Sequence, residues 1–259
     1  MSDAWVRALV ALPFGLVIGS FMTVVVARVP TGASVVRPRS RCPSCGGPVR
    51  ARDNVPVLSW VLLRGRCRAC RAPISVAYPL LELSTAVLFA GSFAAHADPW
   101  AGALVAALLS LMPAIAAIDL RHRIIPNRLM YPALAAFPLF VLLGWLAGGT
   151  PDPVRAAIGF AAFGGGLFLV AIVSGGMGMG DVKLAALEGV ALGALGLARV
   201  GVAAGVAVAV GGLVAIAALL AGRGRRAAIP FGPSLAAGAV AAGLWGPQLA
   251  DLYLRALRG

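Results

Sequence analysis

The chain has 259 residues, of which 60% are hydrophobic and 12% charged, against about 45–50% and about 25% in soluble domains. Too few charges remain to cover a water-facing surface, and the apolar surplus exceeds what one core can use. An ordinary soluble enzyme, a disordered chain and a disulfide mini-protein are therefore excluded. The net charge of +13 would suggest nucleic acid in a soluble protein, but in this composition it is first a membrane-orientation signal.

Taken in chain order, apolar stretches of spanning length, roughly 20 residues, lie near 5–27, 76–95, 100–118, 129–148, 154–174, 183–198, 200–221 and 231–250. The first is too long for the apolar part of a signal peptide and lacks a basic start, so it reads as an uncleaved span. The sixth is short, and only Arg199 divides it from the seventh. The pattern predicts an all-α polytopic membrane protein of about eight transmembrane helices: a first helix in 1–29, a loop in 30–75 and a seven-helix core in 76–259. If the N-terminus is outside, the segments 28–75, 119–128, 175–183 and 222–229 face the cytosol and carry 17 of the 22 basic residues. By the positive-inside rule both termini then lie outside, and no nucleic-acid partner is needed to explain the charge. Gly15/Gly19 and Gly201/Gly205 are spaced for close helix approach.

The loop 30–75 holds all four cysteines, Cys42-Pro43-Ser44-Cys45 and Cys67-Arg68-Ala69-Cys70, with 21 residues between the pairs. Two such knuckles predict a structural Zn2+ site of zinc-ribbon type. A loop this small cannot bury enough surface to fold alone, and a metal would supply the missing free energy. Two disulfides are the alternative, but they need an oxidising compartment. Four thiolates leave no open position for a zinc-bound water, so zinc catalysis is not expected.

Among the nine acidic residues, four lie in or at the edge of apolar stretches, where an ionisable group is a functional candidate by default. Asp3, Asp98, Asp152 and Asp251 fall at predicted external ends, and Asp53 is expected to pair with arginine in the basic loop. Asp119 ends the third stretch, and Asp181 follows the fifth in Gly178-Met179-Gly180-Asp181-Val182-Lys183. Two spans separate them, so both fall on one side. Two carboxylates meeting at a low-dielectric edge share a proton, the basis of aspartic proteolysis. Gly178 and Gly180 would permit unusual backbone geometry or close approach of a peptide. The plainer alternatives are a charge on Asp119 neutralised by Arg121 or Arg123, and Asp181 as a helix N-cap. Glu82 is expected near loop arginines or a basic substrate segment, and Glu188 beside an arginine. His96 and His122 read as solvent or interface residues.

These segments resemble the type IV prepilin peptidases, the prepilin leader peptidase/N-methyltransferases. The likeness runs through Gly19-Ser20-Phe21, Arg28-Val29-Pro30, the two cysteine knuckles, Asn54-Val55-Pro56, Tyr78-Pro79-Leu80-Leu81-Glu82, Asp119, Gly178-Met179-Gly180-Asp181-Val182-Lys183-Leu184 and Ile229-Pro230-Phe231-Gly232-Pro233. It implies a GxGD-type intramembrane aspartic protease with Asp119 and Asp181 as the catalytic pair. It further implies type IV prepilin or pseudopilin substrates, for a surface pilus or a type II secretion pseudopilus, cut after a Gly on the cytosolic face of the bacterial cytoplasmic membrane. Many such enzymes then methylate the new N-terminus from S-adenosyl-L-methionine. Lys183 and Glu82 would shape the site. Two positions depart from the family pattern: Met22-Thr23, where members often read Leu-Asn, and Asn127, where members often carry Asp. The competing functions are a peptidase-only enzyme, a transporter with carboxylate proton or cation carriers, which would place a carboxylate near the midplane, and a non-catalytic zinc-loop scaffold.

Overall fold

The computed structural model describes residues 3–222 and 230–258, and among these it is all helical, with no strand. The elements are α1 (Asp3–Arg28), a 3-10 turn (Ala51–Asp53), α2 (Leu58–Leu62), α3 (Ala77–Ala95), α4 (Pro99–His122) and α5 (Asn127–Leu146). There follow α6 (Pro153–Gly159), a π-helical stretch (Phe160–Gly165), α7 (Gly166–Ser174), α8 (Met179–Gly193), α9 (Leu197–Leu220) and α10 (Gly232–Arg258). Six helical runs, with Pro153–Ser174 taken as one, are long and apolar enough to cross a membrane. They coincide with six of the expected stretches. The other two are α8, which has 15 residues and rises only about 22 Å, and α10, which is bent at the non-helical Trp245.

The core gathers around α4 and α8. On α8 every residue from Leu184 to Gly193 is buried, as expected of a helix that is apolar all round and enclosed by others. Glycine sets the spacing. Gly159 and Gly189 meet backbone to backbone, and a Cβ on Gly164 would lie 2.6 Å from that of Ala186. These pairings run α6–α7 antiparallel to α8 and leave Ser174 about six residues past the level of Asp181. A Cβ on Gly15 would come within 2.8 Å of Ala86 Cα, and one on Gly19 within 2.7 Å of the Glu82 carbonyl, so the first glycine pair does join α1 to α3. The second does not: a Cβ on Gly201 or Gly205 would meet no other element within 4 Å among the described residues.

Several boundaries differ from expectation. Helix α4 continues through His122, which places Asp119 inside the helix. Helix α8 starts at Met179, so Asp181 sits in its first turn and Gly178 is the N-cap. The break before α9 falls at Gly196, with φ +139°, and Arg199 lies within α9. Asp98 is not simply solvated: it caps α4 through the Trp100 and Ala101 N–H groups and accepts the Thr150 N–H at 2.8 Å. His96 is buried, its Nδ1 2.9 Å from the Ser92 carbonyl. The arginines at 223, 225 and 226, used in the charge count, and Ile229 of the last motif lie outside the described residues.

Candidate active site and cysteine cluster

Four helix ends meet on one side of the bundle. Asp119 lies near the end of α4, Asn127 begins α5, Asp181 is in the first turn of α8, and Gly232 begins α10. Asp119 and Asp181 line a single cavity of about 270 Å³ with Ile125, Asn127, Gly180 and Lys183. Asp119 is buried, and its Oδ2 accepts the Gly232 N–H at 2.9 Å. That donor is one of the unpaired amides at a helix N-terminus, which also favours negative charge nearby. Arg121 and Arg123 are exposed, and no ion pair engages Asp119 among the described residues. Neutralisation by a neighbouring arginine is thus not its arrangement.

The two glycines of the motif act by size. Neither has positive φ; the left-handed residue of this turn is Gly175, at φ +61°. A Cβ on Gly180 would come within 2.9 Å of Ile125 Cβ, and one on Gly178 within 3.2 Å of Asp181 Oδ2. Gly180 therefore lets α8 seat on the α4–α5 turn, and Gly178 leaves room for the carboxylate. Lys183 Nζ donates to Asn127 Oδ1 at 2.7 Å and Tyr131 Oη at 3.1 Å, and lies 4.7 Å from the centre of the Tyr131 ring. A neutral asparagine thus receives the lysine at the cavity wall.

The other two acidic candidates lie elsewhere. Glu82 Oε2 accepts the Val57 N–H at 2.7 Å, so it anchors the cysteine loop to α3, and among the described residues it makes no arginine pair. Glu188 is fully buried and both oxygens lack a hydrogen-bond partner among the described residues; the expected arginine is not there, because α8 is packed on every side by apolar helices. Sequence reasoning missed Gly232 as a site residue, although the Pro-Phe-Gly-Pro run ahead of an apolar stretch was its signal. Asn127 and Tyr131 emerge as wall residues only through their bonds to Lys183.

The loop after α1 turns back toward this same end. Arg128 of α5 donates to the Gly32 carbonyl, and Val29 and Val35 pack against the cluster containing Ile118. Within the loop the two knuckles are near copies. Cys42 donates its N–H to the Gly47 carbonyl and Cys67 to that of Ala72, both at 2.9 Å. The fourth residue after each is left-handed, Gly46 at φ +68° and Arg71 at φ +62°. The four sulfurs lie within 4.8 Å of one another, with Cys42 and Cys70 Sγ 3.8 Å apart. A tetrahedron with metal–sulfur bonds of about 2.3 Å has edges of about 3.8 Å, so the cluster can hold a metal ion. The N–H groups of Cys45 and Ser44 pull the Cys42 thiol down to about 6. The Ala72 N–H acts the same way on Cys70, but burial and three neighbouring thiols push that group up to about 11. Four thiolates so close need a cation to coexist. Asp53 pairs with Arg68 at 2.7 Å, as the sequence suggested, and this ion pair holds its carboxyl below the ordinary range.

Comparison with known proteins agrees with this architecture. The Bacterial Peptidase A24 N-terminal domain matches residues 13–96, and the Type IV leader peptidase family matches residues 106–222. The chain is 38% identical to the prepilin leader peptidase/N-methyltransferase of Burkholderia pseudomallei (strain 1026b), over 89% of this chain and 83% of that protein. It is 36% identical to the protein of that name from Bacillus subtilis (strain 168), over 95% and 97%. The Aeromonas hydrophila protein is 35% identical, over 96% and 94%. No solved structure matches. With both segments matched in order and relatives aligned nearly end to end, the chain belongs to the type IV leader peptidase family, among the prepilin leader peptidase/N-methyltransferases.

Proposed function

We propose that the chain is an intramembrane aspartic endopeptidase that removes the basic leader from prepilins or pseudopilins after a Gly, with Asp119 and Asp181 as its catalytic pair. The observation that carries the reading is the single cavity lined by both carboxylates at the meeting of α4, α5 and α8. Asp119, whose Oδ2 already accepts the Gly232 N–H, takes a proton from the attacking water. Asp181 carries the other proton and donates it toward the scissile carbonyl oxygen. Water oxygen bonds to the carbonyl carbon, and the resulting diol collapses as the amide nitrogen receives the proton held by Asp119. One diol hydroxyl returns its proton to Asp181 as the carbonyl re-forms, the peptide C–N bond breaks, and both carboxylates are back in their starting states.

Methylation of the released N-terminus, with S-adenosyl-L-methionine as donor, is the second activity; it rests on the names of the relatives. The cysteine quartet would hold structural Zn2+ through Cys42, Cys45, Cys67 and Cys70. We place the chain in the bacterial cytoplasmic membrane, with both termini outside and the cavity facing the cytosol, where a leader protrudes. The charge bias supports that orientation. In this reading 1–29 is the first helix, 30–75 the metal loop and 76–259 the protease core.

The test is mass spectrometry of a leader-bearing substrate incubated with the solubilised protein and S-adenosyl-L-methionine. Loss of the leader is expected, followed by a gain of about 14 Da for one methyl group. Asp119→Asn and Asp181→Asn should each abolish cleavage while still inserting in the membrane. Full activity in either variant would refute the assignment, and leader loss without mass gain would remove the methyltransferase.

A further inference from the structure

An apolar groove of about 340 Å³ opens on the outer surface between α3, α4 and α10. Its walls include Leu88 of α3, Met112 and Ala116 of α4, and Ala237, Ala241 and Trp245 of α10. One long wall, α4, carries Asp119, which lines the cavity, and the other, α10, begins at Gly232, whose N–H donates to Asp119. Ala116 is less than one turn before Asp119, and Ala236, also on the lining, is about one turn after Gly232. From Ala236 the groove runs along α10 to Trp245, roughly 14 Å at 1.5 Å per residue. That is a little under half of a hydrocarbon core of about 30 Å.

We propose that this groove seats the apolar transmembrane helix of the substrate, with the bond to be cut at the Asp119 end. The proposal rests on the peptidase reading above and adds where the substrate lies. Its argument is continuity. A substrate whose polar leader precedes the scissile bond and whose apolar helix follows it needs an apolar track leaving the carboxylates toward the bilayer interior. The groove on α4 and α10 leads away from Asp119 in that direction. Its polarity matches: the lining is carbon-rich from Ala116 to Trp245, and the polar groups begin at Asp119. Shape separates a helix from lipid. Other exposed faces carry long side chains such as Leu139, Leu143, Leu213 and Leu220, and the exposed glycines of α9, Gly201 and Gly205, are not on a helix that lines the cavity. The groove is hollowed at alanines, where a helix backbone can approach closely.

The experiment is site-specific photocrosslinking in the full-length Asp181→Asn protein in nanodiscs. p-Azidophenylalanine replaces Leu88 in the groove or, as a control, Val208 on the exposed side of α9. The probe is a synthetic peptide with a basic leader, a Gly-Phe junction and about 20 apolar residues. The adduct from position 88 should exceed that from 208 by about tenfold, map to the apolar segment, and fall when unlabelled peptide is added. Equal adducts at both positions, no peptide adduct at 88, or an adduct only to lipid or to a second copy overturns the groove assignment. Cleavage of the same peptide by the wild-type protein is measured in parallel. Its failure would overturn the peptidase reading itself, whereas cleavage without the crosslink would overturn the groove alone.

Discussion

Gly232 has no side chain, and the site depends on that absence. A Cβ there would lie 2.7 Å from Asp119 Oδ2, inside contact distance, so Gly232→Ala must push the carboxylate away from its N–H donor. Misplacing a reacting group by about 1 Å can cost about 100-fold in rate. We expect Gly232→Ala to lower kcat by about that factor with KM little changed, measured on the leader-bearing peptide. Gly46 is constrained differently. Nothing lies within 4 Å of its missing Cβ, yet its φ is +68°, so Gly46→Ala meets no clash and suffers only backbone strain of about 1 kcal/mol. Zinc affinity should then fall about fivefold, read by competition with a chelator. Sequence made the cysteine knuckles and the two aspartates legible, because spacing and apolar context are local signals. It could not reveal the partner of Asp119, since Gly232 lies 113 positions away and only folding joins them. It also offered Glu82 loop arginines or a basic substrate segment as partners, whereas the bond seen within the chain is to a backbone amide of the loop.

At the scale of elements, composition located the helices and left their ends uncertain. Helix α4 outruns its apolar stretch because Arg121 and His122 suit a C-terminal turn, and that extension carries Asp119 into the helix. The π-helical stretch before α7 had no sequence signal beyond its glycines. Helix α10 shows how a break is repaired. Pro247 has no N–H to offer the Gly243 carbonyl four residues earlier. Arg199 of α9 donates instead, from Nη1 to the carbonyls of Ala242 at 2.9 Å and Gly243 at 3.2 Å. Arg199→Ala leaves buried acceptors unpaired, at a cost of about 1–3 kcal/mol. A lower thermal midpoint with an unchanged KM for the peptide is the expected result.

Across the whole molecule, the cysteine loop and the helical bundle have separate sources of stability. The bundle holds itself by buried apolar side chains from α4 to α10, whereas residues 30–75 are held mainly by short helical turns, the cysteine quartet, the Asp53–Arg68 pair and a few bonds to the bundle such as that of Glu82. Removing the metal with a chelator, or Cys42→Ser, should make residues 30–75 sensitive to added protease and leave helical circular dichroism nearly unchanged; a collapse of the helical signal would contradict this division. The bundle has a further property that follows from the offset between α7 and α8. Ser174 lies about six residues beyond the level of Asp181, roughly 9 Å at helical rise, so α8 ends below the rim of its neighbour. A hydrolase consumes one water per bond, and a bilayer interior supplies almost none. Because Asp181 is half-buried and shares its cavity with the exposed Arg123 and Asn127, the recess at the start of α8 is the short way in for that reagent, at the edge of the oily wall and not through it.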